Sequence, residues 1–100
     1  MGVNASQDCA VRLKVLADPT RLAVLETLME QSKHVGEINA ELKIDQSLLS
    51  HHLKVLRDAG LVEATRDGKS VLYGLADGVE PRGATRAIDL GCCRLSFDQR

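Results

Sequence analysis

The stretch from Val35 to Leu75, VGEINAELKIDQSLLSHHLKVLRDAGLVEATRDGKSVLYGL, decides the fold. Ile38 and Leu42 stand four apart, so Val35 to Leu42 reads as a short helix with one apolar side. Lys43-Ile44-Asp45 interrupts it, and Asp45 is a good N-cap for a second helix from about Gln46 to Ala59. Leu49, Leu53 and Leu56 form the inward side of that helix, and Gly60 closes it as a C-terminal glycine. Two short helices joined by a three-residue turn are the helix-turn-helix layout. Beyond Gly60 the period becomes alternating: Val62, Ala64 and Arg66 on one run, Val71, Tyr73 and Leu75 on the next. Asp67-Gly68 between the runs predicts a β-hairpin with a type I′ turn, in which both central residues need positive φ.

Working outward, Cys9, Leu13 and Leu16 share one face of a predicted helix from Ala5 to Ala17. Asp18-Pro19 ends it and begins another, with Asp18 as cap and Pro19 at the first helical position. Leu22, Leu25, Leu28 and Met29 give this helix its apolar stripe, and the polar run Gln31 to His34 ends it. On the far side, Pro81 opens a predicted final helix to about Leu90, although Gly83 and Gly91 weaken it. The expected fold class is mainly α with a β-hairpin wing, one winged helix-turn-helix domain over residues 1–100. Residues 76–100 are the expected inducer-sensing and dimerisation segment.

The chain has 100 residues, 44% of them hydrophobic and only 2% aromatic, so its core is built from Leu, Val, Ile and Ala. No apolar run is long enough to span a bilayer, and Met1 to Gln7 lacks the basic start and apolar stretch of a secretory signal. A cytoplasmic protein without a membrane partner is expected. The formal net charge is −1, which by itself makes no case for a nucleic-acid partner. Even between Val35 and Leu75, the basic Lys43, Lys54, Arg57, Arg66 and Lys69 are balanced by acids. Weak non-specific DNA binding follows from that balance.

Local geometry does make the case. The second helix of such a pair enters the major groove with its N-terminal residues toward the base edges. Here those are Gln46, Ser47, Ser50 and His51, opposite Leu49 and Leu53; Gln suits adenine, and Ser bonds to bases or phosphates. Lys54, Arg57, Arg66 and Lys69 are candidate phosphate partners, the last two at the wing tip. Taken alone, such a polar helix face is ordinary solvated surface. The order of helix, turn, capped helix and basic-tipped hairpin favours DNA. Of the histidines, His51 is expected to face DNA, His52 to pack or bond locally, and His34 to be solvated. Neighbours at i, i+1 point apart on a helix, so His51-His52 is a poor metal site.

These residues also carry a resemblance. Leu16-Ala17-Asp18-Pro19-Thr20-Arg21-Leu22, Ser50-His51-His52-Leu53-Lys54-Val55-Leu56, Ala59-Gly60-Leu61-Val62 and Arg66-Asp67-Gly68-Lys69 closely resemble the ArsR/SmtB family of metal-responsive repressors, over about Leu13 to Leu75. The resemblance implies a homodimer, associating through its first and last helices, that binds two-fold operator DNA as double strand. No cofactor is required for that binding, and an inducer releases it. Family base-reading positions match Ser47, Ser50 and His51, with Val35 also near DNA. Asn39 and Lys43 depart from the small residues frequent in the family's turn unit, which is expected to alter the packing slightly.

Cysteine usage bears on the inducer. Cys9, Cys92 and Cys93 are too few for a disulfide framework and read as thiols or metal ligands in a reducing compartment. The family's Cys-x-Cys pattern is absent from Val35 to Leu42. Its zinc-type site on the last helix is also absent, because no histidine follows His52. Adjacent Cys92-Cys93 resembles the vicinal pair of arsenical-responsive members, and soft thiolates select thiophilic ions. Cys9, Cys92 and Cys93 are therefore the expected metal ligands, with trivalent arsenic or antimony as inducer. An inorganic ion takes three thiolates, whereas a methylated arsenical needs two. Two alternatives stand beside this. Either Cys9 is merely an apolar face residue with Cys92 and Cys93 incidental, or Cys9 and Cys92 or Cys93 form a disulfide or polysulfide link in a thiol-redox or reactive-sulfur-sensing repressor. A Cys92–Cys93 bond is disfavoured because adjacent residues close a strained ring. No Cys-x-x-Cys or phosphate-cradling loop is present to argue for an enzyme.

Overall fold

A computed structural model describes residues 5–97; the ends, residues 1–4 and 98–100, lie outside the description, including most of the segment read for a signal sequence. The order is α1 (Ala5–Leu16), α2 (Pro19–Glu30), β1 (Lys33–His34), α3 (Val35–Leu42), α4 (Gln46–Asp58), β2 (Val62–Asp67), β3 (Ser70–Leu75), β4 (Ala87–Asp89) and β5 (Arg94–Ser96). This is a winged helix-turn-helix, four helices followed by an antiparallel hairpin.

The helices begin and end where their caps require. The Asp18 carboxylate accepts from Thr20 N at 2.8 Å and Arg21 N at 3.1 Å, satisfying two otherwise orphaned donors of α2. The Arg21 amide is the main reason that this carboxyl is held below its ordinary range. Asp45 caps α4 through Leu48 N at 3.1 Å. Gly60, with φ 77°, ends α4 while Leu61 N returns to Leu56 O at 3.0 Å. Leu49, Leu53 and Leu56 are fully buried and meet Val24, Leu25, Leu28 and Ile38 in one core. Each buried leucine contributes roughly 1.5–3 kcal/mol by leaving water.

The turn of the helix-turn-helix accommodates its two unusual residues. Lys43 is the only non-glycine residue with positive φ among those described, at φ 55° and ψ 52°. Its amide donates to Asn39 O at 2.7 Å, and the Asn39 side-chain amide donates to Ile44 O. Asn39 thus supplies a bond inside the turn that a small residue there lacks.

Several expectations need correction. The wing's two-residue loop is Gly68-Lys69, because Asp67 pairs with Ser70. Of these residues only Gly68 has positive φ, 65°, which matches the type II′ pattern rather than type I′. Lys33-His34 is not merely a helix-ending run: it forms β1 against β3, in register with Tyr73 and Leu72, giving a sheet of order β1-β3-β2. Gly74 permits that approach, since a Cβ there would collide with Ser32 Oγ.

The predicted final helix at Pro81 to Leu90 is a β-hairpin instead, β4 paired with β5 through Ile88 and Leu95. Gly83 and Gly91, at φ 62° and 89°, are incompatible with helix, and Ile88 and Leu90 alternate into the core. Dimerisation through a last helix therefore has no helix to use among the described residues. Leu13 is also not buried with Leu16: it is 45% exposed, and Val11 on the same helix is 60% exposed.

Candidate functional site

Two sets of side chains stand out, one around α4 and the wing, the other around the cysteines. On α4, Gln46, Ser47, Ser50, His51 and Lys54 are all exposed, while Leu49, His52 and Leu53 are buried. Val35, Gln46 and Ser50 line one open groove of about 330 Å³ between α3, α4 and β3. Arg66 and Lys69 are exposed on the wing. Lys54 is engaged within its own helix, its ammonium 2.9 Å from Asp58 Oδ2. That i, i+4 pair between exposed groups is weak. Leu48 is 47% exposed between Ser47 and Leu49, an apolar element of this face that the inward-face pattern does not single out.

The two adjacent histidines divide as the helix geometry requires. His51 is exposed, and His52 is buried with Nδ1 accepting from Arg21 Nε at 3.0 Å. Arg21 Nη1 also donates to Val15 O at 3.1 Å, so one guanidinium ties α1 and α2 to α4. His34 departs from expectation. It is half-buried rather than solvated, with Nδ1 3.1 Å from Glu37 Oε1 and Nε2 2.9 Å from Asp67 Oδ2. These two carboxylates, Asp67 foremost, hold its imidazolium above the ordinary range. The start of α3 is thereby joined to the wing.

Sequence reasoning also misses Lys33, only 6% exposed. Its ammonium donates to Thr27 Oγ1 at 2.6 Å and lies 3.1 Å from Glu41 Oε1 and 3.2 Å from Glu30 Oε1. Burial pulls its pKa down, but the bonds and charges of Glu41 and Glu30 outweigh that and hold it above the usual range. A lysine beside a helix end carries no signal of this in sequence.

Cys9 lies on α1, half-buried, and Cys92 and Cys93 are exposed in the turn between β4 and β5. The sulfurs of all three lie within 4.8 Å of one another in one chain. Cys9 and Cys92 are joined by a disulfide with Cα atoms 5.8 Å apart, the redox link weighed as an alternative to free thiols or metal ligands. Cys93 is a free thiol whose Sγ is 3.7 Å from each of the other two sulfurs. The turn is held by its own bonds: Gly91 N donates to Asp89 Oδ1 at 2.7 Å, and Leu90 N to Cys93 O at 2.8 Å. Metal–sulfur bonds of about 2.3 Å reach across such a triangle once the bridge is reduced. Among the described residues, no helix is long and apolar enough to cross a membrane.

Comparison with known proteins places this geometry. Residues 18–64 match the model of the bacterial regulatory protein, arsR family. The chain is similar to the biofilm growth-associated repressor of Agrobacterium fabrum, 44% identical over 70 residues, covering 70% of this chain and 60% of that protein. It spans between 48% and 60% of the length of this and other similar curated regulators, among them SmtB and CmtR of Mycobacterium. Among solved structures it is similar to the transcriptional repressor BigR from Xylella fastidiosa, with 39% identity and TM-score 0.68, covering 72% of this chain and 71% of that one. It is also similar to a homodimeric winged helix-turn-helix DNA-binding domain from Mycobacterium bovis, a possible ArsR-family regulator, with 31% identity and TM-score 0.66, covering 70% and 65% of the two chains. With its helix-turn-helix, wing and matching core segments, the chain belongs to the arsR family of bacterial regulatory proteins.

Proposed function

We propose that this protein is a dimeric transcriptional repressor whose operator binding is released by a thiophilic trivalent ion, arsenic or antimony, held by Cys9, Cys92 and Cys93. The carrying observation is the convergence of three sulfurs, from segments 83 residues apart, within 4.8 Å in a single chain. The residue pattern is sulfur-only, which favours soft ions over Mg²⁺ or Ca²⁺. Gln46, Ser47, Ser50 and His51 read base edges, Leu48 offers an apolar contact for a thymine methyl, and Arg66 and Lys69 meet phosphates. Val35 and Lys54 border the same surface. The similar Mycobacterium bovis domain is a homodimer, and exposed Val11 and Leu13 on α1 suit a second copy of this chain. Residues 76–100 then form the inducer-sensing segment, with Cys92 and Cys93 at its centre. An ion drawing α1 and the β4–β5 turn together alters the spacing of the two recognition helices.

The test selects binding sites for the reduced protein from random duplex DNA, then adds arsenite. A two-fold site with half-sites about 10 base pairs apart, or a multiple, is expected. Arsenite is expected to weaken binding by about 5- to 150-fold. Cys92→Ser/Cys93→Ser is expected to bind the same DNA without induction. A normally inducible double variant overturns the sensor site.

The Cys9–Cys92 bond favours a second reading, a thiol-redox repressor. Hydrogen peroxide then accepts two electrons and two protons from the two thiols, its O–O bond breaks as the S–S bond forms, and it leaves as two waters. DNA affinity that changes on oxidation of Cys93→Ser, without any metalloid, favours this reading over the first.

A further inference from the structure

We propose that Arg12 is the positioning residue of the thiol site, holding the Cys92-Cys93 turn onto the face of α1 that carries Cys9. The inference rests on the thiol site proposed above and adds the residue that assembles it. Cys9 and Arg12 are three apart on α1 and so share a face. The half-buried Arg12 guanidinium donates through Nη1 to the Leu90 carbonyl, immediately before Gly91-Cys92-Cys93. Leu90 is buried, and a buried carbonyl without a partner is costly.

The turn is shaped to receive this side chain. At Gly91, with φ 89°, an added Cβ would stand 3.2 Å from Arg12 Nη1, so the arginine lies against bare backbone. Arg12, Leu90, Gly91 and Cys92 line one cleft of about 180 Å³. The internal bonds of the turn, Gly91 N to Asp89 Oδ1 and Leu90 N to Cys93 O, fix its shape but not its place on α1. Outside the sulfurs, the Arg12–Leu90 bond ties this turn directly to α1.

A docked turn gives Cys9 and Cys92 a high effective concentration for each other, and an undocked one does not. The experiment equilibrates Cys93→Ser protein with reduced and oxidised glutathione, so that only Cys9–Cys92 can form. Two protein thiols and one glutathione disulfide then exchange with one protein disulfide and two glutathione thiols. In this background Arg12→Ala is expected to lower the equilibrium constant at least tenfold. Arg12→Lys, which keeps a cationic donor, is expected to recover a substantial part of the loss. An equilibrium constant left unchanged by Arg12→Ala overturns the proposal, as does loss in Arg12→Lys equal to that in Arg12→Ala. A parent protein in which Cys9–Cys92 never forms overturns the docked geometry itself. No metalloid or DNA enters the measurement, so its failure is distinct from failure of the repressor reading.

Discussion

Arg21 Nε donates to His52 Nδ1 at 3.0 Å, joining the start of α2 to the middle of α4. The same guanidinium reaches Val15 O, so its loss leaves a buried imidazole nitrogen and a carbonyl short of a partner. Arg21→Ala is expected to cost about 1–3 kcal/mol, seen as a melting temperature lowered by at least about 4 °C. His51→Ala, one residue from the buried partner, is expected to leave melting unchanged and weaken operator binding. An unchanged melting temperature in Arg21→Ala contradicts the anchoring role.

Lys43 occupies left-handed backbone, which costs a side-chain-bearing residue roughly 1–2 kcal/mol. Glycine adopts this conformation freely but loses more entropy on folding, by roughly 0.5–1 kcal/mol. Lys43→Gly is expected to raise stability by up to about 1.5 kcal/mol in urea unfolding, the net of those two effects. A lower midpoint at unchanged slope would show that the lysine side chain outweighs its backbone conformation.

The His34 contacts make the wing's attachment pH-dependent. Because Asp67, and then Glu37, raise the folded pKa above the ordinary 6.5, their contribution is complete below that value. It disappears as pH rises through the raised folded value. Amide exchange in the wing is expected to be faster in Asp67→Asn than in the natural sequence under mildly acidic conditions, and the difference to close at alkaline pH. A difference that grows with pH contradicts the assignment.

Metalloid binding and the Cys9–Cys92 bond use the same sulfurs and exclude each other. Protein oxidised at Cys9–Cys92 retains one free thiol, Cys93, which is insufficient for a three-thiolate site. Arsenite is expected to bind the reduced protein at least tenfold more tightly than the oxidised one, in isothermal titration under nitrogen. Equal affinities rule out a shared site.

Much of this is legible in sequence because its signals are local. Asp18, Asp45 and Gly60 mark helix ends through their own backbone chemistry, and Leu49, Leu53 and Leu56 repeat at the helical period. The polar face of α4 follows from the same repeat. The parts that escape depend on contacts between distant segments. Nothing near Lys33 announces pairing with Tyr73, nor does His34 announce Asp67. Pro81 obscures the β4–β5 hairpin, yet Ile88 and Leu90 before Gly91, and Leu95 and Phe97 after it, alternate as strands do. A resemblance that pairs first and last helices does not foresee how Cys9 meets the vicinal pair, because β4 and β5 stand where the last helix was expected and the bond to Cys92 depends on where that hairpin docks.

The central claim is that Cys9, Cys92 and Cys93 form one thiophilic site. The most direct measurement titrates fully reduced protein with arsenite and counts bound arsenic and remaining free thiols per chain. One arsenic per chain with the loss of all three thiols is expected, with methylarsenite consuming Cys92 and Cys93 alone. Protein that binds neither compound, with all three thiols still titratable, contradicts it.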